Sequence, residues 1–297
     1  MNPSPPLPPG VAGLFLHQES DGTEAWGWWR GDGSWDDLRA AGLQGGLEAA
    51  ATWLADGGAA AGSADPPPPP RHDPPRPVLP GRPPQLLCVG RNFAAHAAEL
   101  GNEVPEELLW FARPVRSLTD PGGTAWPPHH PPSPLALEGE LAVLVGRRLR
   151  GDLDPEELGD AVVACAPALD LTARAVQRAD QARGWPWTRS KGVAGSCTFG
   201  PLWADARGLD LAALRLVSRV DGEVWQDAGL DTMLRSPERV LAEIARWTPL
   251  GPGDVVLLGT PAGAGELPPG ARVETEIAPL GTTVLRVADQ GGKTADR

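Results

Sequence analysis

The sequence predicts a mainly β, α+β protein. Three observations carry this: eight short apolar or alternating runs, each bounded by Gly, Pro or Asp, follow a proline-dense stretch; helical spacing is confined to a few segments; and the two kinds do not alternate as βαβ units would. The strand-like runs are residues 86–89, 108–111, 141–145, 162–169, 214–220, 255–258, 273–277 and 283–287. Helical spacing marks residues 93–100, 155–161, 172–179 and 237–247, the last with Ser236 placed as N-cap and Pro237 in the first turn.

Ahead of these runs, residues 1–65 read as a small N-terminal β-rich module. Residues 14–16 and 25–30 form its strands, Asp21-Gly22 and Asp32-Gly33 its turns, and residues 47–54 its helix. Between Pro66 and Pro84, 11 of 19 residues are proline, which forces extended backbone and makes this segment a stiff linker. The main folded unit then spans residues 85–290, and residues 291–297 form a polar tail.

Composition excludes several function classes. Lys plus Arg number 26 and Asp plus Glu 38 in 297 residues, a net charge of −12, so a phosphate backbone is repelled and nucleic acid is not an expected partner. No apolar run approaches the roughly 20 residues of a membrane span, and a soluble cytoplasmic protein is expected. Cys88, Cys165 and Cys197 are too dispersed for a disulfide framework or a zinc knuckle and read as buried thiols. The chain has no Tyr.

The most informative stretch is Glu138-Gly139-Glu140 leading into an apolar run. On a strand the two acids project to one face, near enough to share a cation; the alternative is a solvated edge. A third acid, Asp170, closes the run 162–169 and is either another ligand or the N-cap of a helix starting near Thr172. Three carboxylates without His or Cys beside them are hard donors that favour Mg2+ or Mn2+, with Ca2+ also suited, over zinc.

Arg174 and Gln177, three apart, share a helix face and could hold a substrate oxygen, and Lys191 follows in an aromatic, Gly-flanked setting; surface ion pairing is the alternative for each. In Val89-Gly90-Arg91-Asn92-Phe93, a strand ends in a turn before a short helix that Asn92 is expected to cap. On that helix His96 and Glu99 are three apart, so the carboxylate can orient the imidazole for general-base work, or the pair is structural. The turn 259–263 offers amides and the Thr260 hydroxyl as a carboxylate clamp, or is an ordinary tight turn. His72, His129 and His130 are expected to be exposed.

In this order the pieces resemble the fumarylacetoacetate hydrolase family. The resemblance spans residues 85–288 and rests on residues 89–105, Phe111-Ala112-Arg113-Pro114 with Ser117-Leu118, and residues 137–146, 170–177, 187–192, 221–227 and 253–263. It implies a mixed β-sandwich roll, usually dimeric, with Glu138, Glu140 and Asp170 as Mg2+ or Mn2+ ligands. His96 and Glu99 become a water-activating dyad on a mobile segment, Lys191 stabilises developing charge, and Arg174, Gln177 and Thr260 contact substrate. The implied activity is C–C hydrolysis of an acylpyruvate or fumarylpyruvate-like keto acid, in keto-acid or aromatic catabolism. Oxaloacetate decarboxylation, isomerisation of a hydroxy-dienedioate, or keto-acid binding without turnover are the alternatives. Departures from the usual pattern, Phe93 for Tyr, Ala175 and Ala194 for Asp, Ser196 for Phe and Thr198 for Pro, are expected to alter the substrate range.

Overall fold

The computed structural model describes residues 6–18, 21–39, 42–58, 71, 81–129 and 132–289. Most of the expected linker, the polar tail, His72 and His130 lie outside the described residues; His129 is exposed.

The strands are β1 (Gly13–Gln18), β2 (Glu24–Trp29), β3 (Trp35–Asp37), β4 (Leu86–Gly90), β5 (Leu109–Ala112), β6 (Thr124–Ala125), β7 (Leu135–Ala136), β8 (Gly139–Val145), β9 (Val162–Asp170), β10 (Thr172–Ala173), β11 (Cys197–Phe199), β12 (Trp203–Asp205), β13 (Arg215–Val220), β14 (Glu223–Gly229), β15 (Val255–Leu257), β16 (Arg272–Ala278) and β17 (Gly281–Val287). The α-helices are α1 (Leu47–Ala55), α2 (Ala94–Glu99), α3 (Arg174–Gln181), α4 (Thr188–Lys191) and α5 (Pro237–Ala245). Among the described residues no helix is long and apolar enough to cross a membrane.

The large sheet runs β3-β2-β1-β12-β9-β8-β15-β4-β5, with β11 also on β9. A second sheet runs β14-β13-β16-β17-β6, and β7 pairs with β10. This is the mainly β architecture expected, and the N-terminal strands continue the large sheet through β1 against β12. From the expected linker, the Arg71 backbone pairs with Trp35 and its guanidinium sits 4.3 Å from that ring's centroid.

Strands β8 and β9 are buried along their whole length because both faces are covered. Leu141, Val143 and Val145 enter one core with Val240, Leu241 and Ile244 of α5. Their neighbours Ala142 and Leu144 enter a second core with Leu47, Ala50 and Leu54 of α1. Alternation of side chains thus turns a continuous apolar run into two cores. Each Val or Leu contributes about 1.5–3 kcal/mol relative to exposure, which fixes the register of the two strands carrying the acids.

Three local expectations are corrected, and one strand was not foreseen. Asn92 does not cap α2, whose N-cap is Phe93 without a side-chain bond. Instead its amide donates to the carbonyls of Arg235 and Leu258 and its oxygen accepts from Arg235 N, tying three segments together. Asp170 caps no helix: Thr172 and Ala173 pair with β7, which delays α3 to Arg174. The expected helix at 155–161 shortens to a 3-10 turn over Pro155–Glu157, stopping before Gly159. Strand β14 carries too little alternation to be read in advance; it forms on the hairpin turn Asp221-Gly222, both residues with positive φ. Helix α5 and its Ser236 cap, accepting from Arg239 N at 3.3 Å, are as expected.

Candidate active site

Register assembles the acids. Gly139 pairs with Leu169 and Glu140 with Ala168, while Asp170 N donates to Glu138 O at 2.8 Å. Between the two glutamates, a Cβ on Gly139 would lie 2.1 Å from Ser218 Oγ and 2.6 Å from Thr275 Oγ1. Glycine alone lets the second sheet come this close, and Gly139 N is taken up by Gln226 Oε1 at 2.9 Å. Glu138, Glu140 and Asp170 are 5%, 1% and 1% exposed, and each offers a carboxylate oxygen within 4.8 Å of the others.

Burying three carboxylates together is tolerable only with counter-charges. Arg174 Nη2 donates to Glu138 Oε1 at 2.5 Å, and Lys191 Nζ donates to Glu138 Oε2 at 2.6 Å and to Asp170 Oδ2. Arg113, absent from the residues singled out by sequence, pairs with Asp170 Oδ1 and is braced by Ser117 and Ser196. Its signal lay in Phe111-Ala112-Arg113-Pro114, where a charge follows a strand, but nothing local shows that the charge turns inward. Burial alone would raise the Glu138 pKa, yet Lys191 and Arg174 outweigh it and hold it at about 2.

Glu140 differs. Its hydrogen bond comes from an amide, Gly259 N at 2.7 Å, and among the described residues no guanidinium or ammonium forms an ion pair with it. Burial pushes its pKa up to about 8, with Glu138 adding repulsion against the lowering by Lys191 and the amide. The trio therefore holds one under-compensated buried acid next to two compensated ones. Such a set of hard carboxylate oxygens could hold a divalent cation.

The remaining expected residues converge on one pocket of about 110 Å³. His96, Glu138, Glu140, Arg174, Gln177, Lys191 and Thr260 line it, together with Arg91, Asn102, Phe111, Arg178 and Trp187. Glu99 stands behind His96, its Oε2 3.2 Å from Nδ1. Gln177 accepts from Arg174 Nη1 at 2.7 Å. The turn after β15 clamps carboxylates of the protein itself: Gly259 N holds Glu140 and Gly263 N donates to Glu99 Oε1 at 3.0 Å. Thr260 Oγ1 accepts from Gln226 Nε2 at 2.8 Å, making Gln226 a brace that sequence reasoning left unassigned. Phe93 lies in the core and Ala175 and Ala194 are exposed, and none of the three lines the pocket.

A mainly β scaffold with a buried carboxylate trio and paired cations, of which Glu138, Glu140, Arg174 and Lys191 line one small pocket with His96, defines a site able to hold a divalent cation. Residues 85–288 match the family described as fumarylacetoacetate (FAA) hydrolase C-terminal. The mitochondrial oxaloacetate tautomerase of Saccharomyces cerevisiae is 34% identical over 226 residues, covering 65% of this chain and 86% of that one. The mitochondrial oxaloacetate tautomerase of Arabidopsis thaliana is 37% identical over 196 residues, covering 66% and 87%. Fumarylpyruvate hydrolase from Pseudomonas aeruginosa, solved with Mn2+ and pyruvate, superposes with a TM-score of 0.65 at 29% identity, covering 71% of this chain and 91% of that one. The chain belongs to the fumarylacetoacetate hydrolase family.

Proposed function

We propose that this protein is a divalent-cation-dependent enzyme that interconverts the keto and enol forms of a small 2-oxo acid of the oxaloacetate type. The observation that carries this reading is the carboxylate trio, with oxygens within 4.8 Å, two of whose members, Glu138 and Glu140, line one pocket with His96, which Glu99 holds at Nδ1. The similarity to two oxaloacetate tautomerases supports the substrate class.

In this reading Glu138, Glu140 and Asp170 hold Mg2+ or Mn2+. The cation, when bound, supplies a Lewis-acid anchor for the keto-acid head and stabilises negative charge on its oxygen. Lys191 and Arg174 stand beside the trio and neutralise charge developing on the substrate. Gln177 and Thr260 give neutral polar contacts that orient the head. His96 moves the proton to and from the carbon next to the carbonyl, and Glu99 holds the imidazole through Nδ1 so that Nε2 is the working nitrogen.

A second reading, C–C hydrolysis of an acylpyruvate, is favoured by Glu99 itself. Anchored by Gly263 N, it can hold the His96 ring in the orientation that takes a proton from water. The test follows enol loss from oxaloacetate by ultraviolet absorbance and pyruvate release from acetylpyruvate, with and without Mg2+ or Mn2+. Metal-dependent enol–keto interconversion that falls by ~10²–10⁴-fold in His96→Ala is expected. Pyruvate release from acetylpyruvate without enol–keto activity would replace the first reading by the second. Turnover of neither substrate by metal-loaded protein would overturn both.

A further inference from the structure

The site holds three acids and three cations, equal in number: Glu138 contacts Arg174 and Lys191, Asp170 contacts Lys191 and Arg113, and Glu140 stands beside them on the Gly259 amide. Arg91 stands outside that set. It lines the same pocket, yet among the described residues its side chain makes one hydrogen bond, from Nη2 to Asn102 Oδ1 at 2.8 Å. Its backbone is also unusual, with φ of +59° in a residue that is not glycine. The left-handed region costs an L-residue on the order of 1 kcal/mol or more, so the fold holds Arg91 there against a local preference.

Asn102 accepts from Nη2 and so holds the guanidinium in place, while Nη1 and Nε, which make no hydrogen bond among the described residues, remain as donors for a carboxylate oxygen. The position matches such a task. Arg91 follows directly on β4 and precedes the turn into α2, so it belongs to the wall that carries His96, whereas the trio lies on β8 and β9. A cation bound at the trio would add two positive charges to a site already balanced, and Arg91 adds another beyond them. A substrate bearing two carboxylates offsets more of that surplus than a substrate bearing one.

We infer that Arg91, held by Asn102, binds the distal carboxylate of the substrate and thereby selects 2-oxo diacids over 2-oxo monoacids. This rests on the proposed function for the keto-acid head and deepens it by naming the tail.

The experiment uses the full chain loaded with Mg2+. Oxaloacetate and its 4-methyl ester, which differ in the distal charge, are compared as substrates in wild type, Arg91→Met and Arg91→Gly; the glycine variant relieves the backbone and guards against a folding defect. Binding of 3,3-difluoro-oxaloacetate, which cannot enolise, and of oxalate, which mimics the head alone, is measured by calorimetry. Both variants are expected to raise KM for oxaloacetate and Kd for the difluoro compound by ~10- to 100-fold, as loss of a charge-assisted pair predicts. KM for the ester, Kd for oxalate and kcat stay within a few-fold of wild type, and Arg91→Lys recovers part of the loss. Equal weakening for diacid and ester, or for oxalate, would overturn the inference, as would no weakening at all. If wild type binds oxalate but turns over no oxo acid, the proposed reaction fails, while the calorimetric comparison still decides the role of Arg91.

Discussion

Lys191 Nζ donates to Glu138 Oε2 at 2.6 Å and also reaches Asp170, so one ammonium bridges acids delivered by two different strands. It occupies the side of the trio where a cation's charge would otherwise be needed. Lys191→Met removes that bridge and leaves both carboxylates buried. The metal-free variant should melt below wild type, and Mg2+ should raise its melting temperature by more than it raises that of wild type, because the ion then replaces a lost counter-charge. Equal Mg2+ shifts in differential scanning calorimetry would contradict this account.

Arg113 acts through Asp170. Its guanidinium is buried and engages Asp170, Ser117 and Ser196 at once. Arg113→Met should cost about 3–5 kcal/mol in urea unfolding, since it removes one of the two cations that hold the buried Asp170 carboxylate. Arg113→Lys should recover only part, because an ammonium cannot reproduce a planar fork with three partners. A loss below about 1 kcal/mol in Arg113→Met would show that Lys191 alone compensates Asp170.

Gly139→Ala tests whether the sheet-to-sheet approach places the acids. The added methyl meets Ser218 Oγ at 2.1 Å, so β8 must shift and carry Glu138 and Glu140 with it. Overpacking of this kind costs typically about 1–3 kcal/mol, enough to leave the protein folded. The expected result is a cooperative melt with Mg2+ stabilisation lost. Retained stabilisation would mean that the trio tolerates the shift.

The three thiols give a pH prediction. Cys88, Cys165 and Cys197 are free and buried, and burial raises each thiol pKa, that of Cys165 to about 12. Native protein should show no reaction with a thiol-specific disulfide reagent at pH 8 and react fully after unfolding. Because the folded-state pKa lies above the unfolded value near 9, the protonated thiol's contribution to stability is complete below pH 9 and is lost as pH rises toward 12. A native thiol titrating at pH 8 would show that these sites open to solvent.

Much of this was legible in the residues. The runs that became β8 and β9 are apolar at every position, which only a strand covered on both faces requires. Helix α5 announces its start through Ser236 and Pro237. Glu138-Gly139-Glu140 and Asp170 stand out because acids at the ends of such runs are costly without a purpose. What stayed hidden depended on partners distant in sequence. Asn92 looks like a helix cap until Arg235 and Leu258 arrive to take its amide. Arg113 looks like a surface charge until β9 brings Asp170 beneath it.

The sequence by itself determined the alternation of strands and turns, the three acids and the His–Glu spacing, because each depends on residues close along the chain. Only the tertiary structure decided which cation faces which acid, that Glu140 is left to an amide, and that the turn 259–263 grips the protein's own carboxylates. Those outcomes follow from strand register and from one sheet approaching another across Gly139, and contacts between residues 36 to 164 apart leave no local trace in composition or period.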